Sequence, residues 1–304
     1  MNLESTTTPR EPRRMDALGR PAESAEFEYT VDDFERIRRI IYRDAGIKLA
    51  DSKRTMAYSR LVRRVRTLGM RRFADYLDLV EREGEGEGER SAFVNALTTN
   101  LTAFFREPHH FPILEAHLAP RVARRAPVIW CAGCSTGEEA YSIAMTLAAA
   151  SMSSGAHILA TDVDTNVIET AERGVYPLER VEKLPPGYKE RFFLEGVGRN
   201  AGHVKVRPEI KNLVTFRRVN LLEASWPIRA PLDAIFCRNV MIYFDKTTQY
   251  SILGRFSDLL EPGGLLFAGH SENFTQGGIA FRSCGRTVYE RLPARATALP
   301  AERS

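Results

Sequence analysis

The sequence predicts an α/β protein: a parallel, doubly wound sheet carrying a small inserted subdomain, preceded by an all-helical domain. Three observations predict it. After Pro127, short apolar runs alternate with helical stretches, the pattern of strands buried on both faces. From Phe27 to Val80, apolar residues recur instead at steps of three and four. Residues 174–212 interrupt the later alternation with Pro-, Gly- and charge-rich sequence, as an insertion would. A length of 304 residues suits two domains at roughly 150 residues each. With 43% hydrophobic and 27% charged residues there is enough apolar material for a core.

In the first part, Val31, Phe34, Ile37, Ile40 and Ile41 mark one helical face. Leu61, Val65 and Leu68 mark a second, and Phe73, Tyr76, Leu77 and Val80 a third. Thr30 or Asp32 caps the first helix, and Gly46 and Gly69 stand where helices stop. The Glu-Gly alternation from Glu83 to Glu89 repels itself and packs no core, so it is expected as an exposed loop. A helix from Arg90 to Thr98 follows. The helical domain is thus placed at 27–98 and the second domain at 99–293, between loose tails at 1–26 and 294–304.

In the second domain, Val128–Cys131 and Ile158–Asp162 are expected strands, each leading to a helix, Glu138–Ala150 and Thr165–Arg173. Leu213–Val219, Ala234–Cys237 and Leu265–Ala268 supply further strands, the last after the Pro262-Gly263-Gly264 turn. A helix spans Asp245 to Leu260, and the alternation over Phe281–Arg291 fits antiparallel edge strands.

Several classes are excluded. No apolar run approaches the roughly 18–20 residues of a membrane span. Residues 1–26 lack the apolar core of a signal peptide. Cys131, Cys134, Cys237 and Cys284 are too few for a disulfide framework in this length. A reducing cytoplasm and a monomer are expected. Net charge is +4, yet Phe34 to Arg72 holds thirteen Lys/Arg against three acids. That imbalance points to a negatively charged partner for the first domain.

Three constellations carry chemistry. The run Trp130-Cys131-Ala132-Gly133-Cys134-Ser135-Thr136-Gly137-Glu138-Glu139 turns from strand to helix through small residues, so a ligand can approach the backbone amides. A plain tight turn would use the same residues. It has neither a G-x-G-x-x-G fingerprint nor the lysine of a phosphate loop. Cys131 and Cys134 have no second pair to complete a metal site and do not open a helix as a thioredoxin pair does, so they are expected to pack, with no metal. Asp162, ending the second strand, can accept both hydroxyls of a ribose, while Asp164 or Thr165 suits the helix cap better. An acid there without a pyrophosphate grip points to S-adenosylmethionine over NAD. The third constellation is the pair Leu97–Glu107 and Phe236–Phe244, where polar groups sit among aromatics outside an amphipathic pattern.

The stretches Leu-Thr-Thr-Asn-Leu-Thr-Ala-Phe-Phe-Arg-Glu, Ser-Thr-Gly-Glu-Glu-Ala-Tyr-Ser-Ile-Ala, Phe-Cys-Arg-Asn-Val-Met-Ile-Tyr-Phe-Asp and Gly-His-Ser-Glu-Asn-Phe, in that order, closely resemble the CheR family of chemotaxis-receptor glutamate methyltransferases. The resemblance runs from Phe27 to Leu292. It implies a Rossmann-like S-adenosylmethionine domain with an inserted β-subdomain, behind an all-α domain. It implies that Asn100, Thr102 and Arg106 contact the cofactor, Arg106 through its methionine carboxylate, together with Gly133 and with Glu138 or Glu139. Asp162 would hold the ribose, Asn220 and Leu221 the adenine, and Arg238 and Asn239 the remaining side. Arg106 and Tyr243 are the expected catalytic pair, giving a glutamate methyl ester and S-adenosylhomocysteine.

A glutamate carboxylate has a pKa of ~4.3 and is already a nucleophile at neutral pH, so no general base is needed. His270 is expected to be structural. Lys53, Arg60, Arg64 and Arg71, spaced seven, four and seven apart, are expected on one helix face that meets acidic receptor signalling helices. No nucleic-acid motif accompanies the charge. Glycines in Gly196–Gly202, with Arg199 and Arg207, resemble the loop of family members that dock a receptor's C-terminal tethering peptide. A non-catalytic cofactor-binding module, or a methyltransferase acting on a different acidic protein, would share the same motifs.

Overall fold

The computed structural model describes residues 26–84, 86–274 and 280–293. Glu26 apart, the expected tails fall outside these residues. The helical part contains α1 (Val31–Ala45), α2 (Arg54–Thr67), α3 (Phe73–Glu81) and α4 (Glu87–Leu97). Thr30 caps α1: its Oγ1 accepts from Asp33 N at 3.1 Å and the Asp33 carboxylate accepts from Thr30 N at 2.8 Å. This reciprocal box satisfies two of the helix's unpaired donors. Gly46 ends α1 at φ 69°, the left-handed conformation that glycine adopts without strain. Phe34, Ile37, Leu61, Phe73, Tyr76 and Phe93 meet in one buried core. Each large apolar side chain so buried stabilises by about 1.5–3 kcal/mol.

Two expectations change here. The Glu-Gly stretch is not all loop: α4 begins at Glu87, and the Glu89 side chain is 9% exposed because it pairs with Arg64. The Lys53-to-Arg71 face does not form as one helix face either. Lys53 precedes α2, and Arg71 lies beyond its end at Thr67. Much of the basic block is neutralised internally: Arg36 by Asp78 and Glu81, Arg38 by Glu35 and Asp51, Arg66 by Glu26, Arg72 by Asp75.

The second part runs α5 (His110–Leu118), β1 (Val128–Ala132), α6 (Glu138–Ala149), β2 (His157–Asp162), α7 (Thr165–Arg173), β3 (Val175–Pro177), α8 (Tyr188–Phe192), β4 (Phe193–Glu195), β5 (His203–Val206), α9 (Pro208–Lys211), β6 (Val214–Arg218), β7 (Leu232–Cys237), α10 (Lys246–Leu259), β8 (Leu260–Ala268), β9 (Phe281–Gly285) and β10 (Val288–Arg291). Seven strands form one sheet in the order β6-β2-β1-β7-β8-β10-β9, and β3-β5-β4 form a separate antiparallel sheet within the insertion. The first five strands of the large sheet are parallel and β10 and β9 are antiparallel. This is the expected fold class. Strand β7 is buried throughout, which explains the apolar run Ala234–Cys237, while its one acid, Asp233, is paired with Arg125. Chain order reverses between β1 and β7, and ligands bind outside the carboxyl ends of the strands at such a switch point.

Candidate active site

At that switch point the β1–α6 turn is tied to β2: Gly133 N and Cys134 N both donate to Thr161 O, at 2.7 and 2.8 Å. Gly133 has φ 83°, and a Cβ there would meet Val240 Cγ2 at 2.3 Å, so only glycine fits. The three cysteines near the turn, Cys131, Cys134 and Cys237, are free and buried. Burial pushes all three thiols well above their ordinary pKa, which suits packing and opposes thiolate chemistry.

One pocket opens here. Asn100, Thr102, Arg106, Gly133, Glu139 and Asp162 line one part of it. Asn220, Leu221, Arg238, Asn239 and Tyr243 line the rest, and Ala45, Ile47 and Leu97 of the helical domain close it. All but one of the sequence-derived site residues are thus brought together. The exception is Glu138, which is not among the lining residues. Its side chain is fully buried against Arg180, while Thr136 Oγ1 donates to its Oε2 at 2.6 Å. Adjacent helical residues point about 100° apart, so only one of the two glutamates can face the pocket, and it is Glu139.

Asp162 ends β2 with its carboxylate accepting from Ser135 N at 2.8 Å and Asp164 N at 3.0 Å. Burial pushes its pKa up, against the pull of those amides. Asp164 is the N-cap of α7, and its other oxygen accepts from Thr98 Oγ1 at 2.7 Å and Asn100 Nδ2 at 2.8 Å, so it orients Asn100. Arg106 donates from Nη1 to Leu101 O at 2.9 Å. Arg238, its side chain 1% exposed, donates from Nη1 to Glu139 Oε2 at 2.8 Å and from Nη2 to Arg106 O at 2.5 Å. Tyr243 stands on a 3₁₀ turn, Met241–Tyr243, just beyond β7. Asn220 Nδ2 donates to Asp44 O at 2.7 Å, linking that wall to the helical domain.

Two supporting residues were not singled out from the sequence. Glu272, 4% exposed, accepts from Asn239 N at 3.0 Å, Met241 N at 2.8 Å and Gly269 N at 2.6 Å, fixing the loop that carries Asn239 and Tyr243. Arg180, from the insertion, pairs with Glu138 and donates to Thr102 O at 3.1 Å. Their signals, a lone acid in Gly-His-Ser-Glu and one arginine among many, are too weak to read without the fold. His270 is 71% exposed and its Nδ1 lies 3.4 Å from Glu107 Oε1. Glu107, His109 and His110 bring ligand atoms within 4.8 Å of one another. The Arg238 guanidinium, 3.6 Å from the same Glu107 carboxylate, opposes a cation there.

Two features fit a polar, ribose-bearing cofactor: the glycine cradle at Gly133, and a buried Asn239 Oδ1 that has no hydrogen-bond partner within the protein. Comparison with known families decides the matter. The CheR methyltransferase SAM-binding domain matches residues 100–289, and the CheR methyltransferase all-alpha domain matches residues 32–98. The chain belongs to the CheR methyltransferase family. It is 54% identical over 267 residues to chemotaxis protein methyltransferase 2 of Pseudomonas aeruginosa, covering 87% of this chain and 94% of that one. It is 54% identical over 258 residues to the chemotaxis protein methyltransferase of Salmonella typhimurium, covering 84% and 88%. The Escherichia coli chemotaxis protein methyltransferase is 52% identical over 258 residues, covering 84% and 89%. This CheR chain is an S-adenosylmethionine-dependent methyltransferase that methylates chemoreceptors in chemotaxis, and glutamate O-methylation is the reaction of its family. Among the described residues no helix is long and apolar enough to cross a membrane.

Proposed function

We propose that Arg106 and Tyr243 orient a receptor glutamate carboxylate at the mouth of the pocket, against S-adenosylmethionine held by the residues deeper in it. The observation that carries this reading is that Arg106, Tyr243, Glu139 and Asp162 line one pocket at the carboxyl ends of β1, β2 and β7. Asp162 holds the ribose, Asn220 and Leu221 the adenine, and Asn100, Thr102 and Arg106 the methionine end. Glu139, rather than Glu138, joins them, with Arg238 and Asn239 completing the wall.

When bound, S-adenosylmethionine supplies an activated methyl, its sulfur taking the bonding pair as the new oxygen–carbon bond forms. The acceptor is already ionised at neutral pH, so the chain's residues need only hold it in line and exclude water. Positioning of this kind is worth up to ~7–11 kcal/mol of the barrier. No step calls for a general base.

Receptor docking is assigned to the basic edge around Lys53, Arg60 and Arg64. Arg60 adjoins the pocket: its Nη1 donates to Leu97 O at 3.1 Å and to Thr98 O at 2.6 Å, both on lining residues. Arg64 contributes less, being paired with Glu89. The inserted β-subdomain, with Leu194 42% and Val197 81% exposed beside its edge strand, suits a tethering peptide added as a further strand. The enzyme acts as a cytoplasmic monomer in this reading.

Incubation with methyl-labelled S-adenosylmethionine and a chemoreceptor cytoplasmic fragment tests it. Label released as methanol by mild base, and abolished by Glu→Ala at receptor acceptor sites, is the expected result. Tyr243→Phe and Arg106→Ala that both left turnover and cofactor affinity untouched would remove the proposed roles.

A further inference from the structure

We propose that Glu107, the residue after Arg106, is a positioning residue for methyl transfer, acting through Arg238 to fix the Arg106 segment at the pocket. The inference rests on the role given to Arg106 above. Arg238 leaves the end of β7 and its guanidinium lies between two carboxylates. It is bonded to Glu139 on one side at 2.8 Å and faces Glu107 Oε2 on the other at 3.6 Å, while its Nη2 also donates to the Arg106 carbonyl at 2.5 Å. One buried cation therefore ties a pocket acid to the main chain of the acceptor-side arginine. With a carboxylate on each flank it is held centrally. With Glu107 neutralised, the remaining attraction is one-sided, toward Glu139, and the Arg106 carbonyl loses a fixed donor.

The second oxygen of Glu107 pins a separate loop. Oε1 accepts from His270 N at 3.2 Å, so the segment following β8 is anchored to the same side chain. Burial pushes the Glu107 carboxyl up, but the Arg238 guanidinium and the His270 amide outweigh it, leaving the group below the ordinary carboxylate range and charged at neutral pH. His110 fixes which way Glu107 can turn. The His110 Nε2 lies 3.0 Å from Arg286 O, which can only accept, so Nδ1 carries the lone pair. That Nδ1 lies 3.9 Å from Glu107 Oε2, and neither atom has a hydrogen-bond partner in the protein. Two acceptors facing each other do not attract, so the guanidinium is the partner that holds Glu107.

The backbone converges on the same place. Among the described residues, Phe105, Ser135, Ser151, Glu107, Asn239, Arg286 and Thr287 are the non-glycine positions with φ between 48° and 61°. Three of these seven, Phe105, Glu107 and Asn239, belong to the two segments meeting at Glu107 and Arg238, whereas Arg286 and Thr287 are the central pair of the β9–β10 hairpin, where a two-residue turn takes φ > 0 at both. Left-handed backbone at non-glycine residues is held only where its surroundings over-determine it, and it gathers at functional sites.

The test is Glu107→Gln, which keeps the shape and an acceptor for His270 N but removes the charge. We expect kcat for receptor methylation to fall on the order of 10–100-fold. The S-adenosylmethionine Kd, by titration calorimetry, should rise by a smaller factor than kcat falls, since Arg106 and Arg238 also border the cofactor, and the melting temperature should stay within a few degrees. Glu107→Asp restores the charge and should recover part of kcat. His270→Ala, which keeps the backbone donor and loses only the exposed imidazole contact at 3.4 Å, should keep kcat within about twofold. Glu107→Gln with kcat within about twofold of the parent would overturn the inference, as would a fall in kcat matched by lost affinity and lost stability, or a His270→Ala loss equal to that of Glu107→Gln. Arg106→Ala run alongside separates the two readings. If it stays active, the Arg106 role itself fails. If it is inactive while Glu107→Gln is active, only the Glu107 inference fails.

Discussion

His110 gives the chain a measurable acid sensitivity. Its side chain is fully buried, and burial, aided by the Arg238 charge, lowers its pKa from 6.5 to about 4. In the unfolded chain it titrates near its ordinary value of about 6.5. Between those two values the unfolded state binds a proton that the folded state does not. The contribution to stability is therefore complete above pH ~6.5 and is lost as pH falls toward ~4. Integrating proton uptake gives a loss of about 2 kcal/mol between pH 7 and 5, rising to about 3 at pH 4. Replacing His110 with Gln removes this titration. At pH 7 the variant should be less stable by about 1–2 kcal/mol, because the bonds to Arg286 O and Thr287 Oγ1 at 3.0 and 3.2 Å are disturbed. At pH 5 that deficit should have closed by about 2 kcal/mol. Urea unfolding followed by circular dichroism at both pH values measures it, and other titrating groups cancel in the difference. Parallel pH dependence in the parent and the variant would refute the reasoning.

Asp162→Asn should weaken S-adenosylmethionine binding on the order of 100-fold by calorimetry, from two charge-assisted bonds made neutral. The two adjacent glutamates should separate: Glu139→Gln acts on cofactor affinity, whereas Glu138→Gln strips the partner from Arg180 and lowers stability by about 1–3 kcal/mol, read as a lower melting temperature. Receptor methylation at sub-saturating receptor should slow severalfold between ~0.05 and ~0.3 M salt, while cofactor affinity measured in the same buffers stays level.

The sheet was legible where its strands are buried on both faces, so β1, β2, β7 and the Leu265–Ala268 end of β8 read as apolar runs between helical periodicities, whereas β6, at the sheet's edge, is buried only at Val214. Helix α5 was not legible: it is short, contains Pro112, lacks a side-chain cap and has little amphipathic contrast. The strands of the insertion are three or four residues each, too short to show a period. Most pocket residues were legible through motif resemblance alone, since Asn100, after α4, and Arg238, after β7, lie far apart in the chain and share a pocket only in the fold. The charge count of the basic block overstated its free charge because its neutralising acids, Glu89, Glu26 and Asp78, lie up to 42 positions away from their arginines. Charge counted along a chain does not reveal such pairing. Glu139 over Glu138 was open to a geometric argument, but which side faces the ligand depends on how α6 sits on the sheet.

The pocket's walls come from both halves of the molecule. Ala45, Ile47 and Leu97 face Leu221, Val240 and Phe244 across it. The seam between them is stitched by Asn220 Nδ2 to Asp44 O at 2.7 Å, Lys48 N to Tyr243 O at 3.1 Å and Tyr42 to Asp245 at 2.5 Å. Whatever occupies the pocket consequently acts as a clasp between two folding units. At a concentration of 100 Kd an occupant adds about 2.7 kcal/mol, and that energy belongs to the seam rather than to either half. Loaded protein should melt as one cooperative body where the empty protein can loosen in two.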